Sequence, residues 1–142
     1  MALRWRRLLP GLWAGVLLCI ALIATPAIFA ALPSADAGKV VSRVFVQEAW
    51  LSLALAGVLL LLDRNPARIG RLAAQAARPE RLMLWGTVGC TLLGYFAVQA
   101  LMPAARAGQG VLSFGQLHLI STAFYGLKTL LVLGLAWRAG SG

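Results

Sequence analysis

Two ionisable side chains, Glu48 and Lys128, and one histidine, His118, lie well inside four otherwise apolar stretches. The stretches run from about Leu8 to Phe29, Val44 to Leu62, Leu82 to Met102 and Gly115 to Trp137. A helix needs about 20 apolar residues to cross a hydrocarbon layer about 30 Å thick. Each stretch has that length, and in lipid only helices or closed barrels satisfy their backbone groups. The pattern predicts an all-α integral membrane four-helix bundle with spans over 8–29, 44–62, 82–102 and 115–137. Of the 142 residues 61% are hydrophobic, so little soluble mass is left. The expected loops, of about 8 to 20 residues, are too short to hold a second core, and residues 1–142 read as a single four-span transmembrane domain. Six prolines and fifteen glycines fit that environment, because neighbouring transmembrane helices satisfy or approach the exposed backbone.

The net charge of +9 invites a nucleic-acid reading, and the positions of the charges argue against it. Nine of the 13 basic residues collect on one side: Arg4, Arg6 and Arg7 before the first span, Arg64, Arg68, Arg71, Arg78 and Arg81 between the second and third, and Arg138 after the fourth. Lys39, Arg43 and Arg106 fall on the other side. Basic residues gather on the cytoplasmic side, so both termini are expected there, in a bacterial inner membrane. The partner of the basic face is then a lipid bilayer with anionic headgroups, and no nucleic acid is expected. The arginine-rich N-terminus followed by an apolar run has the look of a secretory or twin-arginine signal. Its run is longer than a usual signal core and no small-x-small site follows, which predicts an uncleaved first span. Leu18 stands where a lipobox before Cys19 needs a small residue.

Between the second and third spans, Asn65-Pro66 is a helix start, and Ile69, Leu72, Ala73 and Ala76 recur at helical spacing. Arg68, Arg71 and Arg78 take the opposite face, so residues 66–78 predict a short interfacial amphipathic helix, ended by Pro79. It serves as a headgroup anchor or as a surface for a membrane protein partner. Leu32 to Gly38 predicts a turn, with Ser34 capping the helix into span two. Gly11 and Gly15 in span one, and Gly86, Cys90 and Gly94 in span three, form rows of small residues for packing within the bundle or between copies of a homo-oligomer. Pro26 predicts a kink that frees the carbonyl of Leu22. Trp5, Trp85 and Trp137 gather at one boundary as an aromatic belt. Cys19 and Cys90 come at similar depth, as small apolar packing residues rather than a disulfide.

Polar groups inside a span are costly and turn toward the bundle interior. Counted from the expected edge of span two, Glu48 lies roughly 7 Å in, with Gln47 beside it. Gln99, His118 and Gln116 fall at comparable depth and Met102 slightly further out, which predicts one polar layer in the outer third of the bundle. From His118, Thr122, Tyr125 and Thr129 share one face of span four, with Ser121 and Lys128 flanking it. The candidate site is therefore Gln47, Glu48, Gln99, His118, Thr122, Tyr125 and Lys128. Glu48 is a structural partner of His118, of a hydroxyl or of another helix, or else a proton- or cation-handling carboxylate. His118 is an interhelical hydrogen-bonding residue or, with Met102, a metal ligand. Lys128 snorkels to water, pairs with a freed carbonyl or holds an anion. No nucleotide loop, paired carboxylates, Ser/His/Asp set or Cys/His zinc cluster occurs, so no enzyme is expected. No cofactor is expected either, although copper or haem at His118 stays open.

Trp13-Ala14-Gly15, then Pro26-Ala27-Ile28-Phe29-Ala30-Ala31-Leu32-Pro33 with Ala37-Gly38 and Phe45, resemble small bacterial relatives of transmembrane protein 205, the domain of unknown function 4149 family. His118-Leu119-Ile120-Ser121 fits the same pattern. An asparagine follows that motif soon after in the family, whereas Ala123-Phe124-Tyr125 follows here. The resemblance implies a four-helix integral membrane protein without an established activity. A more distant likeness to copper-resistance D type membrane proteins rests on the Trp-x-Gly and Pro-x-x-Phe elements. Three functions remain open: a non-enzymatic bundle acting through a protein partner or bound small ligand, a metal- or haem-handling protein using His118 and Glu48, and a proton- or ion-coupled permeation subunit using Glu48 and Lys128.

Overall fold

In the computed structural model, which describes residues 2–63 and 78–141, the apolar stretches become four helical rods, Arg4–Ala31, Ser34–Leu62, Pro79–Arg106 and Phe114–Gly140, and the described residues hold no strand. Each rod has 27 to 29 residues, about 40 Å at about 1.5 Å per residue, which exceeds the hydrocarbon layer and reaches into the headgroup zones. The rods are therefore longer than the apolar stretches, because charged residues such as Lys39 and Arg43 are tolerated on a helix once it leaves the hydrocarbon. Large apolar side chains cover the outside: Leu22, Leu61, Leu119 and Leu130 are all more than 60% exposed, a surface that only an apolar solvent suits. The expected interfacial helix over 66–78, with Arg68 and Arg71, lies outside the described residues. Arg78 enters only as the first residue of a helix.

The first rod is α1 (Ala2–Cys19), a π-helical turn over Ile20–Ala24, and α2 (Thr25–Ala31). The π turn sits where the Pro26 kink is expected. Proline has no N–H and crowds the carbonyl four residues back, and one wide turn just before it absorbs both problems; the Thr25 N–H reaches back to Ile20. Leu32 is extended, as a residue before proline must be, and α3 (Ser34–Asp63) starts immediately after Pro33. The turn expected over Leu32–Gly38 thus contracts to two residues, and Asp36 falls in the first turn of α3, where the helix dipole favours a carboxylate.

The third rod is α4 (Arg78–Thr91), a π-helical turn over Leu92–Ala97, and α5 (Val98–Arg106). No proline explains this second π turn. Its Gly94 carbonyl accepts a hydrogen bond from the Ser121 hydroxyl at 3.0 Å, a side chain inserted from the neighbouring rod. Gly108, at φ +69°, then ends the rod in the left-handed conformation that glycine adopts without strain. The fourth rod is α6 (Phe114–Gly140), opened by a capping box: the Ser113 hydroxyl accepts from the Gln116 N–H, and the Gln116 side chain accepts from the Ser113 N–H. Gln116 therefore belongs to the helix start and not to the polar layer.

Around the bundle, α6 packs most extensively on α1 and α4, and α3 packs on α4. The half of the bundle that carries the termini is filled by Trp13, Ala14, Leu17, Ala56, Leu59, Leu84, Val132 and Leu135. The far half holds only a small cluster, Val98, Met102 and Leu117, between α5 and α6. Small residues fit where rods three and four meet. A Cβ on Gly94 would stand 2.3 Å from Phe124 Cβ, and one on Gly86 would stand 3.0 Å from Leu131 Cδ1. Gly11 and Gly15 have nothing within 4 Å of an added Cβ, so that row does not pack inside the bundle as expected. Its glycines turn outward because Trp13, Ala14 and Leu17 occupy the inner face of α1. Cys90 is buried and Cys19 exposed, and both are free thiols.

Near the termini Glu80 lies 3.4 Å from Arg6 and 3.7 Å from Arg138, joining the ends of the first, third and fourth rods. Trp5, Trp85 and Trp137 stand outward at the same end, each more than half exposed. Ion pairs this exposed contribute little. Glu80→Gln is expected to change unfolding stability in micelles by no more than about 1 kcal/mol, and a larger loss would make this trio a structural clamp.

Candidate functional site

Glu48 stands fourteen residues beyond Ser34, and Lys128 stands fourteen beyond Phe114. At about 1.5 Å per residue both lie about 21 Å from the far end of the bundle, near the middle of their rods. This corrects the expected single layer. Taking Val44 as the edge of span two placed Glu48 too shallow, because the helix had already run ten residues from Ser34. His118 lies only about 6 Å below the far end. The polar residues therefore form two tiers.

The deep tier is a closed network. Lys128 Nζ donates to both carboxylate oxygens of Glu48 at 2.7 Å, and the two side chains are 4% and 2% exposed. Ser52, one turn below Glu48 on the same face of α3, donates its hydroxyl to Glu48 Oε1. Ser52 in turn accepts from the indole N–H of Trp13 at 3.0 Å. The Lys128 ammonium also lies 4.8 Å from the centre of the Tyr125 ring, while the Tyr125 hydroxyl donates to the Leu17 carbonyl at 2.9 Å. Three rods are thereby tied at mid-depth, with no buried side-chain polar atom unsatisfied among the described residues. Completeness is what the location demands, since an isolated charge at this depth would cost far more than the pair does. Of the expected roles, Glu48 takes a hydroxyl and a neighbouring helix as partners, and Lys128 takes Glu48 rather than snorkelling.

Above this network the rods separate around a cavity of about 400 Å³, within the size range of small-molecule sites. All four rods line it. Glu48, Lys128 and Tyr125 form its floor, and Phe29, Arg106, Phe114 and His118 lie toward the far end. Gln99, Met102 and Thr122 line it as well, so the cavity gathers every candidate residue except Gln47. Gln47 is exposed, one position round the helix from Glu48, and faces away from the bundle. Thr122 donates its hydroxyl to the His118 carbonyl on its own helix. Thr129, grouped by periodicity with this face, is buried below the cavity and donates to the Tyr125 carbonyl. The Phe45 ring meets Tyr125 edge-on at 5.2 Å and forms part of the wall.

His118 and Met102 both border the cavity, Met102 packed in the apolar cluster with Val98 and Leu117. Among the described residues no three His, Cys, Asp or Glu side chains converge as a metal site would require. Trp13, Ser52 and Arg106 are the members that sequence reasoning missed. Ser52 was findable, being four residues after Glu48 and so on its helical face. Trp13 reads as one more membrane tryptophan until its indole N–H is seen to point inward.

Among known proteins, the family described as Domain of unknown function (DUF4149) matches residues 8–110. No curated protein and no solved structure matches the chain. The matched segment covers the first rod from Leu8 onward and the whole of the second and third, and with them Trp13, Glu48, Ser52, Gln99 and Arg106, while His118, Tyr125 and Lys128 lie beyond it. Since that segment makes up well over half of the sequence, the chain belongs to the DUF4149 family.

Proposed function

We propose that this is a non-enzymatic multi-pass protein of the bacterial inner membrane that binds a small ligand in the cavity between its rods. One observation carries the reading: a cavity of about 400 Å³ is walled by all four rods and closed below by a saturated ion-pair network. A bundle built only for packing would fill its far half as it fills the half near the termini. Saturation of Glu48 and Lys128 also favours a structural floor over a reacting group. The concentration of arginine around the termini supports their cytoplasmic placement, against anionic headgroups. The cavity then opens toward the opposite side of the membrane. A membrane protein partner or a second copy of the chain would sense the ligand through the outward faces of the rods.

The test is organic extraction and mass spectrometry of the purified protein in three forms. Thr122→Trp places an indole in the cavity, and Leu130→Trp places one on the lipid-facing surface, where Leu130 is 67% exposed. Wild type and Leu130→Trp are expected to retain a stoichiometric small molecule that Thr122→Trp lacks. Identical extracts from all three would overturn the reading.

A further inference from the structure

Which polar groups of the cavity are already satisfied points to the chemistry of what it takes. On the floor, Glu48 accepts from Lys128 and Ser52, and Tyr125 donates to a backbone carbonyl. Above the floor the situation reverses. Among the described residues the side chains of Gln99, Arg106 and His118 make no hydrogen bond. Arg106 only lies over the Phe114 ring, 5.0 Å from its centre, and Phe114 stacks on His118 at 6.2 Å. Charge is equally one-sided. Asp36 is the single acid of the far end and is held by Lys39 at 2.9 Å, so no acid is left for Arg43 or Arg106 there. The rings of Phe45 and Tyr95 line the deeper wall, and Phe29 and the Met102 thioether line it nearer the mouth.

We propose that the cavity takes an anionic amphiphile, with a carboxylate or phosphate head at Arg106 and an apolar body lying inward toward the Glu48–Lys128 floor. The proposal rests on the ligand-binding reading above. A guanidinium presents a planar fork that matches both heads, and the His118 imidazole and, two turns deeper on the rod of Arg106, the Gln99 amide line the same cavity as further N–H donors. The apolar body gains by leaving water for the aromatic wall. The reverse orientation is unfavourable, because a head at the floor would have to break the Lys128–Glu48 pair and strand a buried carboxylate. A cationic head would meet Arg106, and a neutral one would leave the guanidinium unused.

Thermal unfolding of the protein in phosphatidylcholine nanodiscs, titrated with decyl phosphate, decanol, decyltrimethylammonium and inorganic phosphate, tests this. Decyl phosphate is expected to raise the midpoint saturably, with little effect from the other three. Arg106→Gln should need about tenfold more decyl phosphate for half the shift, the scale of one charge-assisted contact, with Arg106→Lys between it and wild type. Arg43→Gln, which removes another cation of this end but not one bordering the cavity, should behave as wild type. Arg106 is exposed and makes no hydrogen bond, so its replacement leaves folding intact. Equal shifts from decanol or decyltrimethylammonium would overturn the anionic head, and an equal shift from inorganic phosphate would overturn the apolar body. Either result still leaves a ligand cavity, whereas no shift from any probe, in wild type and Thr122→Trp alike, sinks the ligand reading itself. Repeating the titration in phosphatidylglycerol separates the sources of the head. Competition that depends on Arg106 indicates an anionic membrane lipid, and its absence indicates a free single-chain amphiphile.

Discussion

Lys128→Met is expected to destabilise the folded bundle by about 3–5 kcal/mol, the usual cost of removing one partner from a buried ion pair. The methionine fills most of the lysine's volume, so the loss comes from charge and not from a cavity. Without the ammonium, Glu48 keeps the Ser52 hydroxyl as its only donor in a site where its side chain is 2% exposed. Glu48→Gln should cost a comparable amount from the other side, by leaving Lys128 with a neutral amide. The double variant Glu48→Gln/Lys128→Met removes both charges together and should recover most of the stability, because the buried pair itself contributes little beyond its own desolvation cost. Reversible unfolding in mixed micelles, followed by circular dichroism, measures all three. A double variant as unstable as the sum of the singles would mean that the two charges do not act as a pair. A single-variant loss below about 1 kcal/mol would mean that water reaches the floor and solvates the stranded group.

The second large effect belongs to Gly94. A methyl there would stand 2.3 Å from Phe124 Cβ and 2.9 Å from Phe124 Cγ, atoms too near the backbone to swing aside. Gly94→Ala must therefore push rod three away from rod four, at an expected cost of about 1–3 kcal/mol despite alanine's better helix propensity. Gly89→Ala provides the contrast, since nothing lies within 4 Å of its added carbon, and should stay within about 0.5 kcal/mol of wild type. Removing the obstacle with Phe124→Gly should return part of the loss. Gly94 and Ser121 both border the cavity, and the Ser121–Gly94 hydrogen bond crosses the same contact. Separating the rods should therefore weaken ligand-induced stabilisation as well as the fold. An unfolding midpoint unchanged by Gly94→Ala would show that the rods do not approach this closely.

The four rods were legible in the linear chain because bilayer thickness and the need to satisfy every backbone amide leave few alternatives for 20 apolar residues. A break in the regular helix before Pro26, which the structure takes up as a π-helical turn over Ile20–Ala24, was legible for a similarly local reason, a missing N–H and a crowded carbonyl. Helical periodicity also placed His118, Thr122 and Tyr125 on one face of rod four, and all three do border the cavity. The capping box at Ser113 and Gln116 was equally readable, but Gln116 was assigned to the membrane layer because depth was judged from hydropathy alone.

Depth and rotation were the missing quantities. Hydropathy locates where a segment becomes apolar, while a helix begins where its cap and turn allow. The ten residues between those points on α3 moved Glu48 from the tier of His118 to that of Lys128. Rotation about each helix axis is set by packing between rods, as where Phe124 covers Gly94, and no periodicity within one rod encodes it. That rotation turned Trp13 inward and Gly11 and Gly15 outward, and aimed Ser52 and Lys128 at one carboxylate. Transfer energy is a property of each segment alone, and so it survives in the sequence. The ion pair, and the cavity above it, exist only where several helix surfaces meet at matched heights.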